Sequence, residues 1–184
     1  MKKIILSLVI VGCLLSSCSK EQDPFLIANK QIGMLTDSTQ VSDLSMVFPN
    51  DSIVKLKNEE AFQSANYDIE VFDKSGKLLL ILSPKKMLDS TSLISTIKIE
   101  DARFKTKKGI SINSTFGDIQ KNYKISSIHN TLKNAVIFVN EINAFFTIDK
   151  KELPASLQFD TDTEIEAIQI PETAKIKYFM IGWN

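Results

Sequence analysis

The sequence predicts one α+β domain that consists mainly of antiparallel β-sheet with two short helices. Most apolar segments alternate with polar residues at a period of two, turns of hairpin length separate them, and two further segments follow a helical period. The chain of 184 residues has 11 phenylalanines for a hydrophobic core, and its 6 glycines and 5 prolines argue against low complexity. We expect this single domain to span residues 25–184.

The first strands come as a hairpin. The stretch "NYDIEVFDKSGKLLLILS" predicts antiparallel strands over 67–73 and 77–83, with Gly76 in the turn between them. The first strand alternates, whereas the unbroken apolar run 78–82 is typical of a strand covered on both faces. We therefore expect the second strand of this hairpin to be central in the sheet.

Three later stretches extend the sheet. "LISTIKIED" predicts a strand with Ile94 on one face and Ile97 and Ile99 on the other, and "KKGISI" predicts a turn at Gly109 that leads into a strand. "AVIFVNEINAFFTID" predicts a second hairpin around 140–143. "AKIKYFMIGW" predicts a final alternating strand.

Two segments read as short helices. "STQVSDLSMVFPND" has Ser42 or Thr39 as its N-cap and ends at a proline, and in "NSTFGDIQKNY" Ser114 or Thr115 is the cap. The second helix should bury one apolar face, formed by Phe116, Ile119 and Tyr123. The two segments align without a gap, which indicates either a duplicated unit or two capped helices that obey the same rules.

The N-terminus has the layout of a secretory signal. Lys2 and Lys3 precede an uncharged apolar run over 4–15, and two small residues come before Cys18. The run is shorter than the roughly 20 residues that a membrane-spanning helix needs. Residues 1–17 are therefore predicted to be a cleaved leader.

Leu15-Ser16-Ser17-Cys18 resembles the lipobox of bacterial lipoproteins. The resemblance implies that Cys18 is acylated, becomes the first residue of the mature chain and holds the domain on a membrane through an acylated tether over 18–24. Cys13 fits the pattern loosely, but its choice would leave an apolar run of unusual shortness. Cleavage before Cys18 removes Cys13, so we expect no disulfide and no thiolate metal site.

The residues after Cys18 bear on location. In lipoproteins of Gram-negative bacteria, a residue other than aspartate next to the cysteine, here Ser19, implies transfer to the outer membrane. Lys20, Glu21 and Asp23 also resemble acidic tethers that direct some lipoproteins to the cell surface, although a solvated linker explains them equally well. We predict an outer-membrane protein that faces the periplasm, with surface exposure as the alternative.

A second resemblance concerns the mature domain. The order of glycine, strand, capped helix and further strand in "IGMLTDSTQVSDLSMVFPNDSIV" resembles the RpoE-regulated lipoprotein family. That family carries no activity that could be transferred to this chain. The resemblance implies an envelope lipoprotein and no more.

Composition and motifs argue against several classes of site. Acidic and basic residues are equal in number, 22 each, and interleave, so nucleic acid is a poor candidate partner. The only histidine, His129, would share a strand face with Ser127, the start of a hydrolase site, but a lone histidine is more often a surface residue. The acidic stretch 160–164 lacks the glycine of a calcium loop, and the basic stretch 105–109 is typical of an exposed turn. We predict no catalytic residue, no metal and no cofactor besides the lipid.

Aromatic residues concentrate in the last third of the chain. Phe145, Phe146, Tyr178, Phe179 and Trp183 lie on predicted strands, where alternation sends some inward and some outward. Outward members would form an interaction surface, and the competing interpretation is a covering layer of helix or loop.

The function that these observations favour is non-catalytic. We predict a membrane-anchored envelope lipoprotein that binds or scaffolds another envelope component, either a protein, a glycan or a lipid. The first alternative is a carrier or sensor of a small apolar ligand, with the aromatic residues lining a cavity that Trp183 fluorescence would report. The second alternative is a hydrolase built on His129.

Overall fold

The computed structural model describes residues 22–55, 67–159 and 161–183. The predicted leader, Cys18 and the first part of the tether lie outside these residues. The strands are β1 Leu26–Ala28, β2 Gln31–Ile32, β3 Leu35–Thr36, β4 Ser52–Lys55, β5 Ile69–Phe72, β6 Leu78–Pro84, β7 Ile94–Ile99, β8 Lys105–Thr106, β9 Ser127–Asn130, β10 Asn134–Val139, β11 Ala144–Asp149 and β12 Ile176–Gly182. The α-helices are α1 Leu44–Val47, α2 Phe116–Asn122 and α3 Ala155–Gln158, and the 3-10 turns are Val41–Asp43, Asn140–Ile142, Lys150–Glu152 and Ala167–Gln169.

A large antiparallel sheet dominates the described part of the chain. Its strand order is β4-β5-β6-β7-β12-β11-β10-β9. The structure thus confirms the predicted α+β class and both predicted hairpins, β5–β6 and β10–β11. The strand β12 pairs with β7 on one side and β11 on the other, so it joins two groups of sequential strands into one sheet.

The β5–β6 hairpin follows from local turn chemistry. Gly76 has a φ of 81°, a conformation that costs other residues several tenths of a kcal/mol or more, and the Asp73 carboxylate accepts hydrogen bonds from the backbone N–H groups of Ser75 and Lys77. The expected burial of β6 on both faces is found only near its start, where Leu79 and Leu80 are both buried. Ile81 is half-exposed.

One face of the large sheet forms the core. Five fully buried side chains lie in one row across five neighbouring strands, because each pairs with the next in register: Leu80, Ile99, Phe179, Phe146 and Ile137. The same hydrophobic cluster contains the buried side chains of α1, α2 and the small sheet described next, so these elements cover this inner face. All buried hydrophobic side chains of the described residues lie between Ile27 and Trp183. Within the described residues, the core thus begins after Pro24.

A small sheet of order β3-β2-β1-β8 lies over the core, with β1 and β8 parallel. The expected strand after Gly109 was wrong: residues 110–112 form no ladder, and the strand β8 precedes the glycine instead. Gly109 does form the turn, with a φ of 84°. The Thr106 N–H donates to the carbonyl of Ile110 across this turn, so the chain closes on itself before a new strand can pair.

Both predicted helices are present. In α2, the Thr115 hydroxyl accepts from the Asp118 N–H, and the Asp118 carboxylate accepts from the Thr115 N–H at 2.9 Å, a reciprocal capping box. The predicted face of α2 is buried. The predicted caps of the first helix were wrong, since Gln40 precedes its opening 3-10 turn and Thr39 instead accepts a hydrogen bond from the Thr36 N–H. No described helix has the length and apolar character that crossing a membrane requires.

The strand register defines two ends of the large sheet. One end holds the β5–β6 turn and Asp101 just after β7, and the chain enters the domain there, since the ring of Phe25 packs against Phe104 with centroids 5.1 Å apart and against the Arg103 guanidinium at 4.7 Å. We call this the entry end. Asp149 at the end of β11 lies at the same end by register. The opposite, far end holds the β6–β7 connection, the β10–β11 turn and Trp183.

Candidate interaction surface and entry cleft

The structure divides the five predicted surface aromatics between two faces of the sheet. Phe146 and Phe179 are fully buried with ring centroids 4.6 Å apart, and Trp183 is 3% exposed. These three are the inward-facing members and belong to the core, so they do not contribute to an interaction surface, contrary to their inclusion among the five candidates. Phe145 and Tyr178 have the opposite strand parity and remain half-exposed on the outer face.

The outer face carries a row of side chains that the sequence did not reveal. Register places Phe138, Phe145, Met180, Lys98 and Ile81 side by side on five neighbouring strands, and we call these five residues the outer row. Each is half-exposed, and none of its apolar members belongs to the hydrophobic core cluster. The outer row is therefore a second apolar surface, distinct from the core.

Aromatic contacts order one half of the outer row. The rings of Phe138 and Phe145 stack with centroids 5.8 Å apart, and the His129 ring lies 4.7 Å from that of Phe138. A Cβ atom on Gly182 would lie 3.6 Å from the ring of Phe145, so this ring sits over the glycine of the neighbouring strand. The rings are thus held by neighbours and need little ordering on binding.

Charged groups flank the other half. The Lys98 ammonium lies 4.5 Å from the centroid of the Tyr178 ring, and Lys98 also forms an ion pair with Glu100. Lys177 binds Asp149 at 3.0 Å. Hydrogen bonds from the Lys151 N–H and from Lys177 lower the pKa of Asp149, and the same contact with Asp149 raises the pKa of Lys177. Both groups stay charged at neutral pH.

His129, on which the hydrolase alternative rests, lies on β9 beside Phe138. Its side chain is exposed and packs on Phe138, and within the described residues it makes no hydrogen bond to a serine or a carboxylate. The described residues also contain no group of three or more metal-ligating side chains. Asp160 of the acidic stretch lies outside them. In the basic stretch, Lys108 binds Glu141 at 2.9 Å.

A second feature that the sequence did not predict is a cleft in the described part of the chain. This cleft of about 540 Å³ opens at the entry end, and we call it the entry cleft. Its apolar walls include side chains from four distant segments of the chain: Phe25, Phe48, Leu79 and Phe104. Arg103 and Asp73 stand at its rim. Its volume lies within the range of small-molecule sites.

The rim of the entry cleft is a fixed ion-pair network. Arg103 donates to Asp101 at 2.9 and 3.1 Å and to Asp73 at 2.7 Å, and Lys77 binds Asp101 at 2.9 Å. Burial raises the pKa of Asp101, but hydrogen bonds from Arg103 and Lys77 outweigh it and lower this pKa to about 2. Hydrogen bonds from Ser75 and Arg103 lower the pKa of Asp73. Arg103 is the only arginine of the chain, a signal that could have marked this region.

Comparisons with known proteins give a fold relationship. No known family and no curated protein matches the chain in sequence. Among solved structures, the fold is similar to the crystal structure of the uncharacterised protein yfeY from Escherichia coli, with a TM-score of 0.54 and 10% sequence identity. The match covers 87% of this chain and 99% of that chain. At this identity the likeness shows the fold alone.

Proposed function

We propose that this chain is a non-catalytic envelope lipoprotein, anchored to the outer membrane through Cys18 and facing the periplasm, that binds a second envelope protein through the outer row. The observation that carries the binding role is the row itself, three adjacent apolar side chains of Phe138, Phe145 and Met180 that lie outside the core. Aromatic and methionine side chains are enriched in the centres of protein interfaces.

The surroundings of the outer row support a protein partner. The apolar part is an open surface, because its side chains stand on neighbouring strands on the outer face of one sheet, and the paired charges of Lys98 and Glu100 lie beside it. A polar rim around an apolar centre is the usual anatomy of a protein interface. An enclosed pocket would be expected for a small ligand instead.

The anchoring role is supported by the sequence and by the position of the core. The lipobox over 15–18 supplies the acylation site, and the core formed by the described residues lies downstream of it. Acylation at Cys18 would therefore tether the domain without altering its packing. Each buried methylene of a lipid chain contributes about 0.8 kcal/mol to membrane binding.

Site-specific photo-crosslinking in intact cells tests the binding role. p-Benzoylphenylalanine in place of Phe145 or Met180 should yield a crosslink to the same protein, and purified partner should bind the purified domain. Met46, which is 81% exposed on α1, provides the control position. Equal crosslinking from Met46, or crosslinking only to glycan, would contradict a protein-binding outer row.

The entry cleft supports a second candidate function, a carrier or sensor of a small apolar ligand. Trp183 lies at the far end, where its backbone N–H donates to the Ser95 carbonyl, so its fluorescence does not report on this cleft. An apolar dye such as N-phenyl-1-naphthylamine serves better. We expect Phe48→Glu to abolish dye binding and Met46→Glu, two residues away and outside the cleft, to preserve it. Unchanged binding in Phe48→Glu would exclude the cleft as the dye site.

A further inference from the structure

Two strongly exposed apolar side chains lie together beside the entry end of the large sheet. Leu132 in the β9–β10 turn is 74% exposed, and Phe159 after α3 is 89% exposed. Both line the same surface depression, although they are 27 positions apart in sequence. Single exposed apolar residues are normal on protein surfaces, whereas two that line one depression form a candidate interaction site.

Lysines surround this pair. Lys133, Lys151 and Lys177 line the same depression, with Asp149 as its carboxylate. Lys177 is paired with Asp149, whereas no carboxylate of the described residues lies within ion-pair distance of the ammonium groups of Lys133 and Lys151. The depression thus combines exposed apolar tips with two lysines, Lys133 and Lys151, that form no ion pair within the described residues. We call Leu132, Lys133, Lys151 and Phe159 the basic tip.

The basic tip lies at the same end of the sheet as the entry of the chain. Lys133 precedes β10 and Lys151 follows β11, and register places both at the end that holds Asp101 and Arg103. Pro24, the last residue of the tether, lines the entry cleft at that end. An anchor attached through this tether would therefore hold the entry end, rather than the far end, towards its membrane.

The distances permit simultaneous contact. The strands β6 and β10 are four strand spacings apart, which corresponds to about 19 Å across the sheet. Four residue steps separate Cys18 from Gln22, the first described residue, and a fully extended chain of that length reaches about 14 Å. Because Pro24 and the basic tip lie at the same end of the sheet, the tether would need to span only the gap between this end and the membrane, and not the distance across the sheet.

We propose that the basic tip docks on an anionic phospholipid surface, with Leu132 and Phe159 in the headgroup layer and Lys133 and Lys151 against lipid phosphates. The proposal deepens the proposed anchoring and rests on it for the orientation of the domain. Apolar tips with flanking lysines are the chemistry of peripheral membrane binding, because burial and attraction to anionic headgroups add. The large sheet would then stand roughly upright on the membrane, and the outer row on its face would remain free for its partner.

Vesicle binding by residues 19–184, which contain the whole core and lack Cys18, tests the docking separately from acylation. Phosphatidylcholine vesicles with and without one-third phosphatidylglycerol are compared by co-sedimentation. We expect binding to the anionic vesicles only. Lys133→Glu with Lys151→Glu should lower the partition coefficient roughly tenfold or more, and Leu132→Ser with Phe159→Ser should also lower it.

The far end offers a matched control. Leu88, in the β6–β7 connection, is 75% exposed and lies two residues after an exposed lysine, so Lys86→Glu with Leu88→Ser removes similar chemistry from the opposite end. This variant should bind vesicles as the unchanged domain does. Equal loss in the control, or no preference of the unchanged domain for anionic vesicles, would overturn the proposal.

A fluorescence measurement places the tip directly. In a Phe159→Trp variant, the new indole should shift to shorter emission wavelength on anionic vesicles and be quenched by brominated lipid, while the buried Trp183 at the far end gives a constant background. An unquenched signal from the new indole on bound protein would overturn the proposed orientation. Crosslinking through the outer row does not depend on the vesicle or fluorescence results. Partner binding by the outer row and membrane docking by the basic tip can therefore be rejected independently.

Discussion

Arg103 binds the buried carboxylate of Asp101 in a two-point contact, with Nε donating to Oδ1 at 3.1 Å and Nη2 donating to Oδ2 at 2.9 Å. Asp101 is 1% exposed, and it lies just after β7, at the end of the sheet where the chain enters the domain. This contact therefore joins the buried carboxylate of Asp101 to Arg103, which lines the rim of the entry cleft.

Removal of the guanidinium should weaken the fold. We expect Arg103→Ala to lower the free energy of unfolding by about 2 kcal/mol, because the Asp101 carboxylate loses two charge-assisted donors and retains Lys77. Urea denaturation measures this loss. Arg103→Lys keeps the positive charge but lacks the planar guanidinium. Its free energy of unfolding should therefore lie between those of the unchanged protein and Arg103→Ala. An unchanged midpoint in Arg103→Ala would show that the contact contributes nothing to stability.

The same pair predicts acid sensitivity. The pKa of Asp101 is lowered to about 2 in the folded protein from an ordinary value of 3.8, so its stabilisation is complete above the ordinary value and is lost as pH falls from about 4 through about 2. Denaturation midpoints across this range should fall with pH. The slope should be smaller in Asp101→Asn, and an identical slope would assign the acid response to other carboxylates.

Phe145 and Phe146 make a matched pair of neighbours. We expect Phe146→Ala to cost about 4 kcal/mol of unfolding free energy, because its side chain is fully buried in the core. Phe145→Ala should cost about 1 kcal/mol, because its half-exposed ring packs only on the outer face. The Phe145 variant should keep the fold by circular dichroism and lose the crosslinked partner. Comparable destabilisation of both variants would contradict the assignment of faces.

Gly117 in α2 should reverse the usual effect of replacing a helical glycine. An exposed Gly→Ala change in a helix normally stabilises by about 1 kcal/mol. Here a Cβ atom would lie 2.9 Å from the Cβ of Glu172 and 3.1 Å from its carbonyl oxygen, so we expect Gly117→Ala to destabilise the domain. Thermal unfolding decides the sign. A raised melting temperature would mean that the segment around Glu172 moves away at little cost.

The anchoring prediction concerns Cys18. We expect Cys18→Ala to abolish metabolic labelling with palmitate and to leave the mature fold unchanged, because the core lies between Ile27 and Trp183. Protease treatment of intact cells then separates the two possible faces, since a periplasmic domain is cleaved only after lysis. Persistent labelling in Cys18→Ala would show that another residue is acylated and would reject Cys18 as the acylation site.

The sequence predicted those features that depend on neighbours in the chain. The β5–β6 hairpin and the cap of α2 follow from Gly76 and Thr115, whose interactions span a few residues. Alternation also showed that Phe145 and Phe146 face opposite ways. It could not show which of them faces the core, because that depends on what the rest of the chain places on each face.

Features that depend on long-range pairing were not predicted. The outer row requires the register of five strands, and the entry cleft requires Phe25, Asp73 and Arg103 to meet from distant segments. A register shift also made the prediction for β7 wrong, because the alternating pattern placed Ile94 on the face opposite to Ile97 and Ile99. Pro84 pairs with Ile94 and Ser83 with Thr96, which leaves Ser95 unpaired in the ladder and allows Ile94 to be buried with Ile97.

The insertion of β12 between β7 and β11 has a consequence for biogenesis. Without residues 176–182, the two groups of paired strands would have facing edges, on β7 and β11, that lack a partner. Open edges of this kind invite pairing with other chains. Pairing of the last strand therefore closes the sheet, and a chain truncated before β12 would be prone to aggregation.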